Sequence, residues 1–352
     1  MPIKTARYYA RTVALKSAAI LCYGFENMHL LDGYKRSNYR YFRHLFEESF
    51  KENIVEKNAS FSPFYLTYSH FGHPDDLGRH LRFDKEGVVM CRTDIAVPYY
   101  NPFFAAYYAL NCYNHYVQTQ DKSSLENYWK QVRHLEKTGV GKGDCLWFQY
   151  HSNHKKLALQ APWVSGLTQV AVMSVFLRAA QFEGDEKYGA LVEMLYASLF
   201  VPVGEGGVFR LLENGDPWIE EYPSKAPDLT LNGFIFCLIG LYEYYHWKGK
   251  PETLASQLKA LIKTLFHRLH EFVFWKYIRY HRRSGVFHNI EYQGLYVCLF
   301  LHLNRLSGKN AFLELARRFD RHTSWKAFYE FYGLPDSCEE LVKIYFDEKF
   351  SA

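Results

Sequence analysis

The chain has 352 residues, with 42 Lys+Arg against 37 Asp+Glu and a formal net charge of +5. That length suits one large domain or two of ordinary size. Hydrophobic residues make up 48% and charged residues 22%, enough to bury a large core, which excludes wholesale disorder and collagen-like or coiled-coil chains. The small positive balance is weak support for a nucleic-acid partner and suits an anionic substrate equally well.

The N-terminus carries Lys4, Arg7 and Arg11 before a short apolar run at 17–22. The run is too short to span a bilayer and no cleavage site follows, so it reads as the start of a helix. No run of 18 apolar residues occurs anywhere, and a soluble chain with no membrane span is expected. Residues 38–47 have helical spacing. The segments 64–68 and 88–91 are β-prone and are punctuated by Gly72, Pro74, Gly78 and Gly87, which predicts a hairpin or small sheet.

From Pro102 the pattern turns helical, with proline at a first turn. Helices are predicted at 103–113, 121–138, 165–183 and 187–199. A further one at 231–247 is apolar on both faces and should be buried. Others follow at 252–280 (long or broken), 292–306, 311–319 and 337–346. Loops at 139–163, 200–230 and 281–291 are rich in Gly, Pro and aromatics. Helices alternating with such loops predict a mainly α fold, an (α/α) toroid or barrel of helical hairpins over 99–352. Residues 1–98 form an N-terminal segment with a helix and a small β-hairpin. No period near 34 residues is visible, against a tetratricopeptide array.

Aromatic residues number 29 Tyr, 28 Phe and 7 Trp, or 18% of the chain. They fit a bulky core, and they fit a cleft in which ring faces stack on sugars. The 7 cysteines are odd in number, scattered and without a C-x-x-C pair, against a disulfide framework or a zinc site. They read as buried thiols of a reducing compartment. No metal-ligand spacing, phosphate loop or Ser/His/Asp set stands out, so neither a metal nor a cofactor is expected.

The segment 215–244 is the most informative. Glu220, Glu221 and Tyr222 sit between Trp218 and Pro223, with Pro227 beyond, just ahead of the buried helix. Neighbouring carboxylates among aromatics can have a raised pKa, the condition for acid/base work near neutrality. The same residues fit an acidic loop whose tyrosine covers the core, and Asn232-Gly233 fits a helix cap.

Trp218-Ile-Glu-Glu-Tyr-Pro223 followed by Leu231-Asn-Gly-Phe-Ile-Phe-Cys-Leu-Ile-Gly-Leu-Tyr242 resembles the D-glucuronyl C5-epimerases of heparan sulfate and heparosan biosynthesis. Trp163-Val-Ser-Gly-Leu-Thr-Gln169 resembles that family's Trp-x-Ser-x-x-x-Gln helix. Tyr99-Tyr-Asn-Pro102 through Tyr113 resembles its Tyr-x-x-Pro segment. The resemblance covers roughly 85–312. It departs from the animal enzymes in two respects. Their β-sandwich domain has no counterpart in the short stretch after Tyr116, which points to a bacterial-type form. Their Tyr-His-x-x-His motif corresponds to Tyr292-Gln-Gly-Leu-Tyr296, with both histidines changed; a second register would align His288 instead and lose the tyrosine. Arg279 is the counterpart of the arginine in a Tyr-Asp-x-Arg segment.

The resemblance implies epimerisation at C5 of a uronate. Inverting that carbon needs proton-transfer groups on both faces of the ring, and donors or a cation for a carboxylate becoming ene-diolate-like. A tyrosine, with an unperturbed pKa of about 10, is a strong base once ionised, and a nearby arginine lowers that value. The resemblance implies Glu221, Tyr222 and Tyr292 as the proton-handling set. It implies Tyr100, Asn101, Tyr113, Trp163, Gln169, Asn232 and Arg279 as substrate contacts, several of which equally suit core or capping roles. Arg279, Arg282 and Arg283 form a basic cluster with His281 and His288 nearby. The implied partner is an anionic uronate-containing polysaccharide, with a homodimer as a candidate assembly. The free cysteines fit a bacterial-type cytoplasmic location, against the Golgi lumen or secretion. A uronate polysaccharide lyase and a non-catalytic glycan-binding protein are the competing functions.

Overall fold

The computed structural model describes residues 39–45, 74–93, 95–183, 186–274, 277–279, 282 and 290–320. The expectations for 17–22, 64–68, 337–346, His281, Arg283 and His288 lie outside the described residues. The chain divides into two compact units, one of 61–227 with 236–258, the other of 1–60, 228–235 and 259–352.

The first unit starts with α1 (Pro74–Gly78) and an antiparallel hairpin of β1 (Leu81–Phe83) and β2 (Val89–Arg92). Asp84 closes its turn by accepting from the backbone N–H of Glu86 and Val88 at 2.8 and 2.9 Å. α2 (Pro102–Thr119) begins at the expected proline, where Asn101 accepts from the N–H of Phe103 and Phe104, and ends at a left-handed Gln120. α3 (Lys122–Thr138) is capped by Asp121, which accepts from Ser123 and Ser124, satisfying donors the helix itself cannot. It buries Tyr128, Gln131, Val132 and Leu135, one face at helical spacing. The Gln131 amide holds the hairpin by accepting from Val89 N–H and donating to Gly87 O.

The loops at 139–163 and 200–230 are more regular than their composition suggests. They contain β3 (Val140–Lys142) with β4 (Cys145–Trp147), β5 (Gln149–Tyr150) with β6 (Trp163–Val164), and, beyond α4 (Gly166–Glu183) and α5 (Glu186–Ser198), β7 (Phe209–Leu211) with β8 (Pro217–Ile219). Composition shows their turn residues but not a partner strand two or three residues long.

α6 (Leu231–Trp247) and α7 (Glu252–Phe272) each run from one unit into the other. α6 is buried from Leu231 to Tyr244, as its apolar faces predict. α7 buries Leu254, Leu258, Leu261, Ile262, Leu265, Phe266, Leu269 and Phe272, a single stripe. The helix expected over 252–280 stops at Phe272. Val273–Phe274 (β9) and Tyr277–Ile278 (β10) instead pair antiparallel, a β-branched and aromatic run that suits a strand. The second unit continues with α8 (Ile290–Ser307) and α9 (Asn310–Asp320). Phe266 of α7 meets Phe312 of α9 with ring centroids 5.5 Å apart, and helical residues 39–45 place Tyr39 against His270 at 5.1 Å.

Within the first unit α2, α4 and α6 point the same way. Tyr150 joins the start of α2 to that of α4, its hydroxyl 3.5 Å from Asn101 Oδ1 and 2.7 Å from Thr168 Oγ1. Further along, the Arg178 guanidinium lies 5.9 Å from the Tyr113 ring. Cys237, Gly240 and Glu243 of α6 meet Gly166, Val170 and Ser174 of α4 in the same order. A Cβ on Gly240 would come within 2.8 Å of Val170 Cβ, so this close approach of two helices needs glycine.

The far ends are locked by a buried ion pair. Arg178 Nη2 lies 2.9 Å from Glu243 Oε1, with side chains 0% and 3% exposed, and Ser174 Oγ donates to Glu243 Oε2 at 2.6 Å. Burial opposes the guanidinium charge, but the Glu243 carboxylate outweighs it and holds the Arg178 pKa above its ordinary value. Glu243→Gln should destabilise the fold by roughly 3–5 kcal/mol, because it leaves a buried cation without its counter-charge. The double variant Arg178→Met/Glu243→Leu should recover most of that loss. Urea denaturation of the three chains measures both, and a double variant no better than the single one contradicts the argument.

Candidate functional site

The tail of β8 carries the two adjacent glutamates, and the fold gives them different surroundings. Pairing of β7 with β8 sets Arg210 opposite Trp218. Arg210 Nε then reaches Glu220 Oε1 at 2.8 Å and its Nη2 donates to Ser224 O at 2.6 Å. Glu220 N–H donates to Val208 O at 2.8 Å, and Glu220 O accepts from Gly166 N–H at 2.9 Å. Glu220 is thereby a counter-ion that fixes the strand tail to the first turn of α4. Glu221 follows in a bend just past the strand. Glu221 is 4% exposed. Its charge is felt by two neighbours: burial and then the Glu221 carboxylate push the Cys237 thiol well up, and Glu221 is also among the groups acting on Tyr150.

An aromatic group stands beside this carboxylate. β5 and β6 pair Tyr150 with Trp163, and their rings stack at 4.3 Å with 12° between planes. The indole Nε1 of Trp163 donates to Ser152 O at 2.8 Å. The Tyr222 ring lies 5.9 Å from Trp163 and 5.3 Å from His154. Burial raises the Tyr150 phenol; the Thr168 hydrogen bond works the other way, and Tyr99 and Glu221 add to the rise. Tyr150 therefore stays protonated at neutral pH, a donor rather than a base.

Of the residues singled out from the sequence, the structure gathers Glu221, Tyr222 and Trp163, and joins Asn101 to them through Tyr150. Asn101 also caps α2 with the same oxygen. Tyr100 lies elsewhere, bonded to Asp84 at 2.8 Å with its ring 4.9 Å from His134. Tyr113 packs on Tyr128 and under Arg178, twelve residues or about 18 Å along α2 from its cap. Gln169 is fully buried; its amide accepts from Phe148 N–H and donates to Leu146 O and Ser198 Oγ.

Four singled-out residues belong to the second unit. Asn232 is buried in the first turn of α6, and its Oδ1 meets no hydrogen-bond partner among the described residues. Arg279 is buried, with its N–H on Phe272 O and its carbonyl accepting from Tyr296. Arg282 N–H reaches Asp228 O and Leu229 O at 3.2 Å, and its guanidinium pairs with Glu271 at 3.3 Å. Tyr292 falls in the first turn of α8, and its side chain lies outside the described residues.

Sequence reading missed Tyr150, His154 and Arg210. For Tyr150 the available signal was the short apolar and aromatic run Cys145-Leu-Trp-Phe148 inside an apparent loop, the kind of run that marks a buried strand. Among the described residues, no group of three His, Cys, Asp or Glu is placed to hold a metal, and no helix is long and apolar enough to cross a membrane.

Helical hairpins with α2, α4 and α6 running parallel define an (α/α) barrel scaffold. A solved cellobiose 2-epimerase from Bacillus thermoamylovorans B4167 has the same fold at a TM-score of 0.50, with 14% identity over 80% of this chain and 74% of that one. A D-mannose isomerase structure aligns at a TM-score of 0.48 and 13% identity over 76% and 71%. The mainly α, (α/α) barrel class expected from the sequence is thus borne out. The chain belongs to the family described as D-glucuronyl C5-epimerase C-terminus, whose model matches residues 144–321. The D-glucuronyl C5-epimerase of Caenorhabditis elegans is 37% identical over 89 residues, which is 25% of this chain and only 14% of that protein.

The contact between α4 and the β8 tail tolerates no side chain. A Cβ on Gly166 would lie 2.7 Å from Ile219 Cγ2 and 2.8 Å from Glu220 O. Gly166→Ala should therefore destabilise by about 1–3 kcal/mol through overpacking, although alanine is the better helix former. Gly204→Ala, where a Cβ meets nothing within 4 Å, should leave stability unchanged. Thermal unfolding of both variants decides it, and a stabilised Gly166→Ala would contradict the packing.

Proposed function

We propose that this chain epimerises C5 of D-glucuronate residues to L-iduronate in a heparosan-like polysaccharide. The observation that supports this reading most is the setting of Glu221 and Tyr222: a buried carboxylate next to a half-buried phenol, beside the Tyr150–Trp163 stack, in a chain of the C5-epimerase family. Trp163 and Tyr222 offer ring faces of the kind that stack on sugars.

In this reading a base removes the C5 hydrogen as a proton, and the C–H electron pair moves into the adjacent carboxylate, giving an ene-diolate. A proton delivered to C5 from the opposite face restores the carboxylate with inverted configuration. The Glu221/Tyr222 pair serves one face and Tyr292 the other. Arg279 and the neutral Tyr150 hydroxyl supply charge and hydrogen bonding to the carboxylate as negative charge grows on it. Positioned proton transfer of this kind contributes on the order of a hundredfold to ten-thousandfold. The free cysteines, with Cys91, Cys112, Cys237 and Cys298 buried, go with a reducing, cytoplasmic setting.

Heparosan incubated with the protein in heavy water should gain deuterium at C5 and iduronate, followed by NMR. Tyr222→Phe and Tyr292→Phe should each slow exchange by about a hundredfold or more while leaving the fold intact, since each removes one hydroxyl. Full activity in Tyr292→Phe would remove that residue from the reaction. An unsaturated product absorbing in the ultraviolet would make the chain a lyase, and binding without exchange would make it a glycan-binding protein.

A further inference from the structure

Between Tyr150 and Trp163 the chain makes an ordered excursion that the proton-transfer chemistry does not use. His154 and Leu159 exchange backbone hydrogen bonds at 3.0 and 3.2 Å. Leu157 N–H is shared between His154 O and His154 Nδ1 at 3.2 and 3.3 Å, closing a single 3₁₀ turn over Lys155–Leu157. Asn153 Oδ1 accepts from Ala161 N–H at 2.8 Å, and Leu159 is buried at the base. The His154 ring rests on Tyr222 and stands edge-on to Trp163 at 6.2 Å. The turn is thus tied to the aromatic group at its root, and it presents Lys155 and Lys156 to solvent at its tip. Neither lysine has an ion-pair partner among the described residues.

We propose that this turn is an anion-binding subsite, in which Lys155 and Lys156 hold the carboxylate or sulfate of a sugar residue neighbouring the one that is epimerised. The inference rests on the reading of the substrate given above. An ammonium is a compact charge on a flexible stem and accepts an anion from many directions, which suits a polymer whose charged groups rotate with the chain. Two such charges on a pre-ordered turn act without a large ordering cost. A turn rooted on Tyr222 also sets the distance between the anchored anion and the reacting sugar, so it selects charged polymer over neutral glycan.

Binding of heparosan and of N-sulfated heparosan to the full chain, at low and raised salt, tests this. Lys155→Gln/Lys156→Gln should weaken binding about tenfold and flatten its salt dependence, as loss of screened charges requires. Lys142→Gln, an exposed lysine of β3, should change neither. An equal loss on both polymers assigns the contact to the carboxylate, and a larger loss on the sulfated one assigns it to sulfate. Native affinity and salt dependence in the double variant would overturn the proposal. So would an equal effect of Lys142→Gln, or the absence of salt-dependent binding by the unaltered protein. If the unaltered protein binds with these properties but exchanges no deuterium at C5, the epimerase reading fails and the anion subsite stands.

Discussion

The arrangement depends on one backbone contact, the hydrogen bond from Gly166 N–H to Glu220 O at 2.9 Å. It brings the tail of a two-stranded hairpin onto the leading turn of a buried helix, with no room between them for a methyl group. Because Glu220 is held by its carbonyl, by its N–H and by Arg210, the next two residues have little freedom. Glu221 and Tyr222 follow directly on that anchored residue.

The three parallel helices of the first unit divide their length between two tasks. At the leading end sit the Tyr150–Trp163 stack, Thr168 and Glu221. About ten residues on, the Arg178–Glu243 pair ties α4 to α6, with Tyr113 of α2 under the guanidinium. Separation along the axis, at 1.5 Å per residue, puts Tyr113 beside that pair, whereas Gln169, at the leading end itself, is taken up by Phe148 N–H, Leu146 O and Ser198 Oγ. A buried charge pair is a costly way to hold helices together. Its position well down the helices keeps that fixed charge apart from Glu221.

Two adjacent carboxylates come to unlike surroundings. Glu220 pairs with Arg210 across the β7–β8 hairpin, while the charge of Glu221, in the bend that follows, acts on Cys237 and Tyr150. The Tyr150 hydroxyl is placed by strand geometry, since β5–β6 pairing fixes its ring on Trp163 and Thr168 fixes its oxygen.

Helix positions were legible in the chain because a helix is a local pattern: the proline and Asn101 at the start of α2, and the apolar faces of α6, are written within a few residues of one another. The stop of α7 at Phe272 was not, because strand pairing between Val273–Phe274 and Tyr277–Ile278 competes with helix continuation only once the two strands meet. The motif around Glu221 and Tyr222 stood out by residue type and order. That Glu220 is a counter-ion, that Gln169 is consumed largely by backbone groups, that Tyr100 turns to Asp84, and that Tyr150 reaches Asn101 all depend on partners 10 to 49 residues away. Residue type and spacing determine which groups a chain has to offer; which of them remain available for chemistry is decided only when distant segments pack, since each hydrogen bond or ion pair made in folding removes a group from that supply.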